Sequence, residues 1–78
     1  MSKEWFHLVK MKLHILIDKH RISQRELSQE IGVRFATINN YVNNTFKYIS
    51  KEHINKLCTY FDCELLDLIE YIKDNPKD

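Results

Sequence analysis

Apolar residues in the first quarter of the chain recur at helical spacing. Val9, Leu13, Leu16, Ile17 and His20 fall on one stripe of a helix over residues 9–20, with Lys10, Asp18 and Lys19 off it. Just upstream, "LVKMKL" alternates apolar and polar, which leaves room for a short extended lead-in before that helix. Ser23 then precedes "QRELSQEI", with Glu26 three residues on, and this S-x-x-E spacing predicts a capped helix start. Leu27 and Ile31 form the inward face of this second helix. Gly32 ends it, because glycine takes positive φ without a Cβ penalty.

A third helix is predicted from about Arg34 to Val42, with Ile38, Tyr41 and Val42 inward and Asn39, Asn40 and Asn43 outward or capping. Asn43-Asn44 closes it, asparagine being the side chain most tolerant of left-handed geometry. "TFKYI" reads as a loop. Ser50 caps a fourth helix over about 51–61, with Ile54, Leu57, Cys58 and Phe61 on its stripe. Residues 65–71 read as a fifth helix or helical turn, with Leu65, Leu66, Leu68, Ile69 and Tyr71 packing. The expected fold is all-α, a compact bundle of about five helices. One domain is expected over 1–78, its core about 9–73 and its tail 74–78.

Composition agrees with that reading. One Gly and one Pro in 78 residues leave little turn chemistry for hairpins, and 44% apolar with 29% charged residues is a globular mixture. The net charge of +1 does not by itself announce a polyanion partner, but its distribution is uneven. Residues 19–48 carry five basic side chains (Lys19, Arg21, Arg25, Arg34, Lys47) against Glu26 and Glu30, leaving +3. Residues 62–78 carry six acids against Lys73 and Lys77, leaving −4. The positive field sits mid-chain, and the acidic tail is expected away from any phosphate surface.

No apolar run approaches ~18 residues, so no transmembrane helix is expected. "MSKEWFHLVKMK" lacks the apolar run of a signal peptide. Cys58 and Cys63 flank a predicted helix end and read as buried free thiols of a reducing cytoplasm.

The function-bearing pattern is "QRELSQEIGVRFATINNYVN", from Gln24 to Asn43. Two short helices joined by a glycine-containing turn describe a helix-turn-helix. Leu27 and the small Ser28 let the helices approach, Ile31 and Gly32 end the first, Val33 plugs the corner, and Ile38 and Tyr41 pack the second back. This chain resembles the helix-turn-helix domain of the phage lambda-repressor and Cro type, the Xre family. It is most similar to small stand-alone bacterial, phage and plasmid regulators, through "ISQRELSQEIGVRFATINNYVNN" and "INKLCTYFDCELLDLIEYI" over about residues 9–73.

The resemblance implies double-stranded DNA as partner, often bound by a homodimer, with the second motif helix in the major groove. It also implies roles. Gln24 braces against a phosphate. Arg34, Phe35 and Ala36 face base edges or adjoining backbone. Thr37 contacts backbone. Asn39 and Asn40 lie on the exposed face, with Asn40 at a base-reading position. Asn44, Thr45 and Lys47 follow the phosphates. The chemistry fits, since Arg forks onto guanine, Asn onto adenine, and Phe35 or Ala36 can press on a thymine methyl.

The chain departs from the family pattern at Arg34, which cannot cap a helix, at the apolar pair Phe35-Ala36, at Ser28 where Ala is commoner, and at Asn44 where Gly is frequent. Phe35 and Ala36, with the near-neutral charge, support a second reading. This is a protein-interaction module on the same fold, such as an anti-repressor, antitoxin-like partner or mobile-element accessory factor. A structural dimerisation unit is a third. Phe35 beside Phe46 and Tyr48 reads as a partner-binding patch, or else Phe46 and Tyr48 cover the core edge under a loop, and Trp5 and Phe6 read as dimer contacts or as packing on the bundle.

His7, His14, His20 and His53 show no i, i+4 pairing and no zinc-finger spacing, so no metal is expected. No glycine-rich phosphate loop or G-x-S-x-G occurs, and Asp67 and Glu70 are explained by solvent exposure. No enzyme activity, cofactor or small-molecule ligand is expected.

Overall fold

Two serines set where helices begin. Ser23 Oγ accepts the Glu26 backbone N–H at 3.0 Å while Glu26 Oε1 accepts the Ser23 N–H at 3.0 Å. This reciprocal capping box satisfies two of the orphan donors of a helix start. Ser50 Oγ takes the His53 N–H at 3.4 Å. The computed structural model describes residues 9–71. Their order is β1 (Val9–Met11), α1 (Leu13–His20), α2 (Gln24–Ile31), α3 (Phe35–Asn43), α4 (Lys51–Phe61), α5 (Leu65–Leu68) and β2 (Ile69–Tyr71). The architecture is five helices with one small antiparallel ribbon, β1 against β2.

The four longer helices end on left-handed residues: Arg21 (φ 54°), Gly32 (φ 68°), Asn44 (φ 58°) and Asp62 (φ 52°). A Cβ at Gly32 would meet only Lys56 Nζ, at 3.9 Å, so space does not require the glycine there. Its backbone angle does. Gly32→Ala is expected to cost about 1–2 kcal/mol from left-handed strain alone, read as a lower urea midpoint. An unchanged midpoint would mean that the turn relaxes out of this region.

The core comprises Met11, Leu13, Leu16, Ile17, Leu27, Val33, Ile38, Tyr41, Leu57, Phe61 and Leu68. Every helix and β1 contribute, so the periodic stripes expected for α1 to α4 do converge. Inside the core edge, the Tyr41 hydroxyl meets His53 Nδ1 at 2.7 Å, which satisfies the one polar atom of a ring that is 2% exposed.

The ends of the fold correct the sequence reading. Helix α1 starts at Leu13, not residue 9, and the alternating lead-in is the strand β1. The helix expected over 65–71 stops at Leu68, and Ile69–Tyr71 is its partner strand. The register pairs Val9 with Tyr71, Lys10 with Glu70 and Met11 with Ile69. One ribbon face is therefore apolar, and the other sets a lysine opposite a glutamate, a favourable cross-strand pair. Met11 is buried at the inner end of the apolar face, while Val9 and Tyr71 are exposed at the outer end.

Leu65 and Leu66 are also exposed, against expectation. Helix α5 is a single turn and turns only Leu68 fully to the core. His20 lies outside the core, its ring tilted against Phe61 at 4.9 Å. Cys58 and Cys63 are free and half-buried rather than buried. The Cys63 N–H donates to the Cys58 carbonyl at 3.0 Å across the end of α4. Burial foremost, then the adjacent Cys58, pushes the Cys63 thiol up to about 11, so it stays protonated at neutral pH. Trp5, Phe6, His7 and residues 72–78 lie outside the described residues. Among those described, no helix is long and apolar enough to cross a membrane.

Candidate nucleic-acid interface

The turn between α2 and α3 is held by more than a small residue. Ser28 Oγ donates to the Val33 carbonyl at 2.6 Å, and the Ser28 carbonyl accepts the N–H groups of Gly32 and Val33 at 3.0 and 3.2 Å. The serine that stands where alanine is commoner thus gives a carbonyl at the corner a partner. Val33 is buried beneath it.

Helix α3 turns Ile38 and Tyr41 inward. Its opposite face carries Ala36, Asn40 and Asn43 at i, i+4 and i+7, all exposed. Arg34 precedes the helix without capping it, as its side chain predicts, and is exposed. Phe35 is exposed and Thr37 half-buried. Thr45 and Lys47 are exposed in the loop that follows.

Several of these side chains are fixed by one another. Asn39 Nδ2 donates to Gln24 Oε1 at 2.9 Å, joining the first residue of α2 to the middle of α3. Asn43 Nδ2 donates to Asn39 Oδ1 at 3.1 Å. Gln24 is left with its amide NH2 as the donor group, and Asn39 is occupied at both ends. Thr45 Oγ1 donates to Asn40 Oδ1 at 3.0 Å, which sets the direction of the Asn40 amide and leaves its NH2 outward.

Asn44 departs from the expected role along phosphates. Its Oδ1 accepts the Met11 N–H at 2.8 Å and its Nδ2 donates to the Met11 carbonyl at 3.2 Å. Both ends of the amide are held by the backbone of β1, so this side chain clamps the ribbon to the C-terminus of α3. Phe46 packs edge-on against Tyr41 at 5.6 Å and covers the core edge, whereas Tyr48 is 85% exposed and covers nothing.

The residue that the sequence reading left out is Arg25. Its guanidinium carbon lies 5.3 Å from the centroid of the Phe35 ring, bridging the starts of α2 and α3. The available signal was its place beside Gln24 in a basic segment. The ring it covers becomes its neighbour only once the turn is folded.

Comparison with known proteins agrees with this geometry. A family model of the Cro/C1-type HTH DNA-binding domain matches residues 12–74. The uncharacterised HTH-type transcriptional regulator YozG of Bacillus subtilis (strain 168) is 25% identical over 64 residues, which cover 82% of this chain and 76% of that protein. The crystal structure of a protein from Bacteroides fragilis, provisionally designated as DNA-binding, superposes with a TM-score of 0.70 at 16% identity. It covers 80% of this chain and 98% of that one, a likeness of fold.

Proposed function

The chain belongs to the family of Cro/C1-type helix-turn-helix DNA-binding domains, and from that premise we propose that it binds double-stranded DNA sequence-specifically and regulates transcription. In this reading α3 enters the major groove. The observation that carries it is the exposed Ala36–Asn40–Asn43 stripe, with Asn40 oriented by Thr45 and Arg34 placed at the start of the same helix.

Asn40 can donate its outward NH2 to adenine N7 and accept from N6 with the Oδ1 lone pair that Thr45 does not use, and Arg34 matches the two acceptors of guanine. Gln24, steadied by Asn39, offers its NH2 to a phosphate. Thr37 and Lys47 supply backbone contacts, which position the domain without reading sequence, whereas the Thr45 hydroxyl and N–H are both committed to Asn40. Asn44 has no part in this reading. Two copies binding as a dimer would read half-sites about one helical turn apart, and selection from random duplexes would return a palindrome.

The test is a salt titration of duplex binding. The logarithm of the binding constant should fall with that of salt by about 0.9 per phosphate contacted. Asn40→Ala should lose about 1–3 kcal/mol of discrimination at one base pair, whereas Lys47→Ala should weaken all sequences alike and lower the slope by about 1. Absence of binding to any duplex at low salt would overturn the reading. It would favour instead a protein-interaction module, for which the exposed Tyr48 and Leu66 speak.

A further inference from the structure

The Phe35 ring is an unusual side chain for a surface meant to meet polar base edges. It is 43% exposed, and its neighbour Ala36 is exposed as well. It is nonetheless held, because Arg25 reaches across from α2 and lies over it at 5.3 Å. That separation is within the range of a cation–π contact. Among the described residues no carboxylate pairs with Arg25. The adjacent Glu26 turns back to the Ser23 N–H. The guanidinium therefore keeps its charge and donors available while it fixes the ring.

An aromatic edge cannot exchange hydrogen bonds with bases. In the major groove the base-edge group that asks for none is the 5-methyl of a pyrimidine. Resting on the duplex-binding reading above, we propose that Arg25 and Phe35 form a subsite for a pyrimidine 5-methyl group in duplex DNA, carried by thymine or by 5-methylcytosine. Phe35 touches the methyl. Arg25 is a positioning residue that holds the ring and directs its remaining N–H groups at the flanking phosphate. The two side chains come from different helices, so the subsite exists only when the turn through Gly32 is formed.

The test uses the full chain with four alternating duplexes of equal length: d(A-T), d(A-U), d(G-C) and d(G-5-methylcytosine). Loss of one buried methyl should weaken binding about fourfold, so d(A-T) should bind about fourfold tighter than d(A-U). The methylated d(G-C) duplex should exceed its parent by a similar factor. A preference in either arm supports the subsite and identifies which base supplies the methyl. Phe35→Ala should bring both ratios to about 1 by weakening the methyl-bearing duplexes to the level of their unmethylated counterparts. Arg25→Gln should shrink both ratios and also lower the salt slope by about 1. A shielding role for Arg25 alone would leave the methyl ratios of that variant unchanged, and that result overturns its part in the subsite. Equal binding of all four duplexes by the wild-type chain, or a ratio that survives Phe35→Ala, overturns the inference while leaving duplex binding intact. Failure to bind any of the four overturns the duplex reading itself.

Discussion

Asn44→Ala is expected to destabilise the fold by about 3 kcal/mol, far beyond what a surface asparagine would cost. Three contributions point the same way. Met11 is 1% exposed, and its N–H and carbonyl take their side-chain partners from Asn44 alone. Leaving a buried donor or acceptor unsatisfied costs about 1–3 kcal/mol each, less where water can follow. The φ of 58° at Asn44 adds about 1 kcal/mol once the asparagine is gone. Asn44→Gly removes only the backbone part of that cost, so its urea midpoint should lie between those of Asn44→Ala and the wild type. Hydrogen exchange at the Met11 amide should accelerate in both variants. If Asn44→Ala stayed within about 0.5 kcal/mol of the wild type, the scale of an ordinary surface substitution, with the Met11 amide still protected, the clamp would not be holding the ribbon.

Leu27→Ala is the second large effect. Leu27 of α2 and Ile38 of α3 are both fully buried in the one core that these packed helices share. Leucine-to-alanine changes at such sites cost about 2–5 kcal/mol, the spread reflecting how far the cavity collapses. A domain of this size has only about 5 kcal/mol or a little more to lose. The variant should therefore be partly unfolded at room temperature, seen as a collapsed urea midpoint and loss of helical circular dichroism. Leu27→Met nearly conserves volume and should lose less than about 1.5 kcal/mol. A loss below about 1 kcal/mol for Leu27→Ala would show that α2 and α3 close over the gap without penalty, contrary to close packing.

The helices of the middle were legible because their signals are local. Ser23 with Glu26, Gly32, Ser50, and the 3.6-residue stripes each act within a turn or two of themselves. The ribbon was not legible, since Met11 and Ile69 are far apart in sequence and three-residue strands carry almost no periodicity of their own. "IEY" follows a leucine-rich run and reads as its continuation. In the structure the backbone leaves the helix at Ile69, which is extended at φ −124°.

For the interface, residue types and spacing gave the stripe on α3 but not what each amide is bonded to. Asn39, Asn40 and Asn44 are chemically alike, yet one is braced to Gln24, one is aimed by Thr45, and one is tied to Met11. Only the tertiary arrangement tells them apart. The same holds for Arg25 and Phe35, whose meeting depends on the angle between two helices.

The pairing of Val9 with Tyr71 has a consequence for connectivity. The described chain leaves and returns at a single address, two neighbouring residues on one ribbon. Whatever is fused ahead of residue 9 or behind residue 71 is anchored at the same spot. A short peptide joining these two points would close the chain into a ring, and the backbone could then be opened in another loop without redirecting any helix.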